Sequence, residues 1–469
     1  MKYRILLTFS LVVIAAFCIK IFVFSSESKQ KTEVATVFKN YCLGCHNDKK
    51  SSFVNRQWLF GNGRDDVFKS IKHGRVAHGM PSFNQGFTDE EIYQLADYIL
   101  GLSAMVKLSD KEPSKNTSGI EKSKVQKFRV DTVVTGLEVP WGMEFLPNGD
   151  ILVSERGGEL LRFTMNKSLQ RITGLPPVAA RGQGGLLDLE LHPDYESNGW
   201  LYLAYSSPDE SDAKISNTAI MRARLKGNEL VDKQVIFKAS PQTDKRHHFG
   251  CKLEFDKEGY LYFSVGDRGN RDEHPQSLGN DCGKIHRIYD DGRIPDDNPF
   301  VNTPGAKPSI YSYGHRNPQG LCMHPETGKI WSDEHGPKGG DELNLIEAGK
   351  NYGWPVISFG INYNGTVFTN DTAKAGMEQP VVYWVPSIAP CGMTFVKGNR
   401  YPNWKNNILT GSLRFEYLHR CVLEGNKVVY QEKLLQNIGR VRNVEMSPDG
   451  FVYVAIEKPG KLLKLVPLE

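Results

Sequence analysis

Between residues 145 and 454 one hydrophobic–polar pattern recurs six times. A turn rich in Pro, Gly, Asn or Asp leads into a run of β-branched and aromatic residues. The copies are Phe145-Leu146-Pro147-Asn148-Gly149-Asp150-Ile151-Leu152-Val153, His192-Pro193 through Gly199-Trp200-Leu201-Tyr202-Leu203, and Asp256-Lys257-Glu258-Gly259-Tyr260-Leu261-Tyr262-Phe263. His324-Pro325 through Gly328-Lys329-Ile330-Trp331, the weaker Pro402-Asn403-Trp404 to Ile408-Leu409-Thr410, and Ser447-Pro448-Asp449-Gly450-Phe451-Val452-Tyr453-Val454 complete the set. Such turns punctuate short strands. Repeats roughly 45–80 residues apart, one four-stranded sheet each, predict an all-β six-bladed β-propeller over residues 128–467. An irregular β-sandwich is the alternative. The β segments at 128–134 and 461–466 are expected to share one blade and close the ring.

Upstream the period changes. Val34, Val37, Phe38 and Tyr41 form a helical stripe, and residues 65–72 read as a second short helix. Thr88-Asp89-Glu90-Glu91 has the form of a capping box opening a helix that carries Ile92, Leu95, Ala96, Ile99 and Leu100. Residues 33–104 are therefore expected to form a small all-α domain. The lysine-rich, apolar-poor stretch at 105–127 reads as a flexible tether. At the start, Lys2 and Arg4 precede an apolar run. Residues 1–26 are expected to be a signal peptide or an uncleaved membrane anchor, which makes the rest periplasmic, soluble or anchored to the inner membrane.

Composition narrows the functional classes. The chain has 469 residues and a formal net charge of +4 from 58 basic and 54 acidic side chains, so it carries no nucleic-acid footprint. Its 45 Gly and 25 Pro fit a turn-rich fold. Cys251, Cys282, Cys322, Cys391 and Cys421 are irregularly spaced, and each is expected to be a small buried residue.

Cys42-Leu43-Gly44-Cys45-His46 is a C-x-x-C-H sequence, the attachment site of a c-type haem. Cys42 and Cys45 would form the thioethers, and His46 would ligate the iron. A zinc half-site would need a second Cys/His pair nearby, and none precedes Cys251. Met80, in Gly79-Met80-Pro81, is the favoured sixth ligand, with His73 and His78 as rivals. The arrangement resembles a class I cytochrome c domain.

The polar clusters lie between the propeller's strands, where loops at one end converge on the axis. They are Gly182-Gln183-Gly184-Gly185, Arg246-His247-His248-Phe249-Gly250, and Gly314-His315-Arg316-Asn317-Pro318-Gln319-Gly320. Glu334-His335-Gly336-Pro337-Lys338-Gly339-Gly340-Asp341-Glu342, Gly411-Ser412-Leu413-Arg414 and Arg440-Val441-Arg442-Asn443 complete them. Converging guanidinium forks suit a ligand with carboxylates or phosphates. Together with Asn351-Tyr352-Gly353-Trp354-Pro355, these clusters resemble the soluble glucose/sorbosone dehydrogenases, the PQQ-dependent aldose sugar dehydrogenase family.

That resemblance implies a site. His248 matches the general base, Gln183 a residue beside substrate and quinone, and Arg316 the group near the reacting carbonyl. Asn317 and Ser387 match cofactor contacts, and Arg414, Arg440 and Arg442 face cofactor carboxylates. Carbonyls of Gly336 and Pro337 match holders of a calcium that also binds PQQ, and Glu342 and Tyr352 match ligands of a second, structural calcium. The implied protein is an exported quinohaemoprotein. It would oxidise an aldose or related alcohol, pass electrons to its own haem c and then to a downstream cytochrome or terminal oxidase. Arg414 stands where the family usually has Lys, Cys251 where it usually has Gly, and His247 beside the base. A calcium-dependent propeller hydrolase, lactonase-like, and a non-catalytic propeller binding module are the competing classes.

Overall fold

The computed structural model describes residues 34, 36–38, 42, 63–75, 80, 82–109 and 120–468. The 1–26 leader, Cys45, His46, His78 and Gly79 lie outside the described residues. The chain divides near residue 115 into two compact units.

The first unit is helical. Helix α1 (Arg64–His73) turns Val67, Phe68 and Ile71 inward, and the Thr88 capping box opens helix α2 (Asp89–Ser109). Thr88 N–H donates to Glu91 Oε2 at 2.8 Å, and Glu91 N–H returns to Thr88 Oγ1 at 3.3 Å. Ile92, Leu95, Ala96 and Ile99 of α2 meet the α1 stripe and Phe38 in one core, with Cys42 and Met80 packed against it. Phe68 stacks on Tyr93 at 4.0 Å. The Arg64–Asp97 pair at 2.7 Å is half-exposed and screened by solvent, so it adds little. Met80 is held by backbone bonds to and from Arg75, at 2.7 and 3.2 Å.

The second unit is a six-sheet ring. Five sheets are built from four consecutive strands each. The first strands are Pro140–Phe145, Leu186–Leu191, Leu253–Phe255, Pro318–Met323 and Pro390–Phe395, with Val441–Met446 beginning the sixth. Each first strand packs against the first strand of the next sheet, and Val441–Met446 against Pro140–Phe145, so six strands surround one axis. The sixth sheet takes its outer strands from the other end of the unit. Lys127–Leu137 pairs antiparallel with Gly460–Leu468, in a register that sets Val130 opposite Leu465. The expected closure is present.

One boundary moves. The expected tether at 105–127 is shorter, because α2 runs to Ser109 and Ile120–Lys122 is a strand paired with Lys127–Leu137. Helix propensity carries α2 past the last apolar repeat. Ladder bonds and a bond from Lys124 N–H to Glu432 Oε1 at 2.5 Å hold a segment whose composition reads as solvated.

The six repeated turns join the first and second strand of each sheet, at one end of the ring. All the polar clusters fall in the other connections, at the opposite end. That end is the mouth. Down the axis, the first strands carry Glu144, Glu190, Glu254 and Glu445 near their far ends, beside Lys252 and Lys397. Side chains between sheets form separate cores. One holds Trp331, Leu343, Trp384, Phe395 and Tyr417, and another Phe128, Trp404, Leu418 and Leu463. All five propeller cysteines are buried and free, as expected.

Candidate functional site

His248 lies in the loop before Leu253–Phe255, held in a left-handed conformation with φ 57°. A non-Gly residue there is strained by roughly 1–2 kcal/mol, so the fold must hold it. Three contacts do. Gln183 Oε1 accepts the His248 backbone N–H at 2.8 Å. Asp267 Oδ1 lies 2.6 Å from His248 Nδ1. Gly266 runs beneath the loop, where an added Cβ would come within 2.3 Å of the His248 carbonyl oxygen. The next turn is equally constrained, with Gly250 at φ 65° and Cys251 at φ 75°. A thiol side chain thus occupies a backbone shape that favours glycine, which is the departure the sequence shows at Cys251.

Asp267 is 1% exposed. Besides His248 it accepts from Gly269 N–H at 2.7 Å and from Trp354 Nε1 at 2.9 Å. Burial opposes its ionisation, but the charge and hydrogen bond of His248, then the Arg316 charge and the Gly269 N–H, hold its carboxyl well below the usual range. The ionised Asp267 fixes Nδ1 as the donor and leaves Nε2 as the acceptor. Burial, followed by the Arg316 charge, lowers the His248 pKa to about 4, so its imidazole is neutral at pH 7. His247 makes no bond to Asp267. Its ring lies edge-on to His248 at 4.5 Å, and its carbonyl is gripped by buried Arg268. Of the two adjacent histidines, His248 is the one that makes the carboxylate pair.

Arg316, 6% exposed, is fixed by its own backbone N–H to Glu334 Oε2 at 2.7 Å and by Nη1 to the His335 carbonyl at 2.9 Å. Its guanidinium lies 5.4 Å from the Trp354 ring. Asn317 is fully buried and spends its Oδ1 on Gly250 N–H at 3.1 Å, which ties the Arg316 turn to the His248 turn. His335 is also held neutral, by burial first and then by Arg316 and Arg442, at about 3. Clusters widely separated in sequence therefore face one pocket.

A second face of the mouth is a turn at 336–341. Asp341 receives Gly336 N–H at 2.8 Å and Ala389 N–H at 2.7 Å. Ser387 Oγ donates to the Pro337 carbonyl at 3.1 Å and accepts from Gly339 N–H at 2.9 Å. Arg414 Nη1 reaches the Ser387 carbonyl at 3.4 Å. Arg440 and Arg442 both meet Glu457, through their Nε atoms at 2.8 and 2.7 Å. They differ in what remains free. Arg440 has a 39%-exposed side chain, whereas Arg442 is buried and also bonds Gln319 Oε1 at 3.2 Å and Cys391 Sγ at 2.9 Å.

Glu342 and Tyr352 are joined through intermediates. Half-buried Glu342 and buried Glu334 are carboxylates that share the Asn344 amide, each at 3.1 Å. Burial, then the Glu334 charge, raises Glu342 well above its ordinary value. Glu334 bonds His315 Nδ1 at 2.9 Å, and His315 stacks on the Tyr352 ring at 4.6 Å. The Tyr352 hydroxyl is already engaged, donating to the Leu345 carbonyl at 2.5 Å and accepting from Glu347 N–H. In the helical unit, Met80 and Cys42 reach the same core.

Asp267 and Glu457 are site residues that sequence reasoning passed over, and Trp354 and Asp341 lay within its motifs without an assigned role. Asp267 had a legible signal: Gly266-Asp267-Arg268-Gly269 follows strand Tyr260–Val265 at the mouth end, as the recognised clusters follow theirs.

Such a propeller, with a buried His–Asp pair and converging arginines at its mouth, defines the class. Residues 137–464 match the Glucose / Sorbosone dehydrogenase family, and residues 29–99 match Cytochrome C oxidase, cbb3-type, subunit III. The chain belongs to the glucose/sorbosone dehydrogenase family and carries an N-terminal cytochrome c domain. It is 40% identical over 348 residues to the aldose sugar dehydrogenase YliI of Escherichia coli, covering 72% of this chain and 92% of that protein. The crystal structure of the soluble aldose sugar dehydrogenase from Escherichia coli, in its apo-form, superposes with TM-score 0.70 at 38% identity, over 73% of this chain and all (100%) of that one. The PQQ-bound aldose sugar dehydrogenase from Streptomyces coelicolor superposes with TM-score 0.60 at 29% identity, over 74% and 100%.

Proposed function

We propose that the protein is an exported quinohaemoprotein. It oxidises the CH–OH group of an aldose or related alcohol at the propeller mouth and delivers the electrons to its own haem c. The observation that carries the reading is the His248–Asp267 pair at 2.6 Å beside Arg316. The neutral imidazole can take a hydroxyl proton at Nε2, and Asp267 stabilises the imidazolium that results. Arg316 places a fixed cation where negative charge grows on an acceptor oxygen. Gln183, whose Oε1 holds the His248 backbone, keeps the base aimed. PQQ, when bound, supplies the two-electron acceptor and carries the redox chemistry.

The residues fit that cofactor. Arg316, Arg414, Arg440 and Arg442 at one mouth suit a molecule with several carboxylates. They also fit calcium. Buried Asp341, raised to about 6 chiefly by burial, accepts the Gly336 N–H in the turn that carries the Gly336 and Pro337 carbonyls. Glu334 and Glu342 face each other without a buried cation between them, and Asn344 Oδ1 is a buried acceptor with no partner. Among the described residues no three His, Cys, Asp or Glu side chains gather at one point, so carbonyl oxygens would complete both sites. Haem c would be held by Cys42, Cys45 and His46, with Met80 as sixth ligand. Joining the two units in one chain raises their effective concentration for each other. The periplasm, and a downstream cytochrome or oxidase as partner, follow from export and one-electron output.

The hydrolase alternative wants a carboxylate cage at the mouth, whereas the axial glutamates lie at the far end of the first strands. The test is spectroscopic. Haem-loaded protein reconstituted with PQQ and calcium should reduce its own haem when aldose is added. An unchanged α-band with every aldose tried would remove the reading.

A further inference from the structure

Glu457 has no part in the reaction as described, yet it organises one side of the mouth. It is the last residue of strand Val452–Glu457, and its backbone N–H donates to the Arg440 carbonyl at 2.9 Å. That extends the ladder between Val452–Glu457 and Val441–Met446 by one step beyond the Val441–Ile456 pair. Glu457 and Arg440 thereby stand opposite each other at the rim. The carboxylate receives Arg440 Nε at Oε2, at 2.8 Å, and Arg442 Nε at Oε1, at 2.7 Å. Burial opposes its ionisation, but the charges of Arg442 and Arg440 overcome it and lower its pKa to about 2. The ion pairs therefore persist at every working pH.

The two arginines are left in different states. Arg442 is enclosed by Glu457, Gln319 and Cys391. Arg440 is held by Glu457 at Nε and by the Leu413 carbonyl at Nη1, 3.0 Å away, and its Nη2 has no hydrogen-bond partner among the described residues. A guanidinium gripped on its inner edges presents its outer edge in one orientation, which suits a planar carboxylate.

We propose that Glu457 is a positioning residue for the cofactor's carboxylates and acts through Arg440. The inference rests on the PQQ reading, so the first arm of its test is the wild-type protein.

PQQ is titrated into the full-length, haem-loaded apo-protein with calcium present, and binding is followed by quenching of protein fluorescence. Wild-type protein that does not bind PQQ removes the cofactor reading, and the inference with it. If wild type binds, Glu457→Gln should raise Kd by about tenfold or more, the worth of a charge-assisted hydrogen bond. In an Arg440→Gln background the same change should add less than about twofold, because its partner is gone. The turnover number at saturating PQQ should fall by less than about threefold. Affinity in Glu457→Gln equal to or tighter than wild type would show that the carboxylate merely offsets charge, and would overturn the proposal. Equal weakening in both backgrounds would overturn it too. Should Glu457→Gln not fold, Glu457→Asp keeps the charge against Arg442 with a shorter reach. It should show the same background-dependent loss, and wild-type affinity there would refute the positioning role.

Discussion

Replacing Asp267 with Asn tests the centre of the site at nearly constant volume. Asp267 Oδ1 receives His248 Nδ1 and Gly269 N–H, and Oδ2 receives Trp354 Nε1. An amide has one oxygen and one NH2. With the oxygen toward His248, the NH2 faces the Trp354 N–H, a buried donor–donor contact costing about 1–3 kcal/mol. With the oxygen toward Trp354, the NH2 faces His248 Nδ1 and favours the tautomer protonated at Nε2, which cannot accept the substrate's proton. Either way the negative charge beside the incipient imidazolium is lost. Charges about 4 Å apart interact by about 4 kcal/mol at an effective dielectric of 20. If half of that or more is felt in the transition state, the barrier rises by about 2–4 kcal/mol, or roughly 30- to 1,000-fold in rate. The assay is single-turnover reduction of PQQ-loaded protein by glucose, with PQQ affinity measured in parallel. A rate within fivefold of wild type would show that the His248–Asp267 bond does not set the base.

Other outcomes follow from the same geometry. Gly266→Ala would place a Cβ 2.3 Å from the His248 carbonyl oxygen, displacing the His248 turn. It should cost about tenfold or more in kcat/KM, as loss of alignment does, and wild-type kinetics would count against the pinned loop. Because burial and Arg316 lower His248 to about 4, the acid limb of kcat/KM should lie near pH 4, with activity lost as pH falls through it. A limb between pH 6 and 7 would refute a desolvated base. Met80→Ala should leave haem attached but lower its reduction potential, measured by redox titration. An unchanged potential would pass the sixth position to His73 or His78.

The ring was legible because the turn between the first and second strands is marked in every blade by Pro, Gly, Asn or Asp. Those strands are buried and dense in branched and aromatic residues. Outer strands carry little signal: Leu169–Ile172 has one buried residue in four. The mouth was legible where glycines accompany the functional residue, as at Gln183 and Gly336, because close backbone approach leaves a mark in composition. Glu457 was not, since what it does depends on partners across a strand pair, and the glycines flanking Asp267 mark a turn without revealing its partners. His248 and Asp267 are 19 residues apart, and Asp267 and Trp354 are 87. The tether was misjudged at its ends for a related reason. Lysine-rich sequence reports solvation, and exposed Glu121 sits in a strand that is still paired along a sheet edge.

The closing strand gives the propeller a memory of synthesis order. Lys127–Leu137 emerges before any blade is made, and its partner Gly460–Leu468 emerges last. Until then, the early strand lacks its Gly460–Leu468 partner while all five intervening blades are assembled, and closing the ring carries the entropy cost of a very long loop. The helical unit, whose core is drawn from Val34 to Leu100, can fold in that interval. Haem attachment can therefore precede completion of the catalytic ring. A chain cut short by even its last strand would leave an exposed edge, a ready target for proteases or aggregation, rather than a weakened enzyme. Completeness of the chain is thus read out by the sheet that carries Arg440, Arg442 and Glu457, so an unfinished ring would also be one that cannot hold its cofactor.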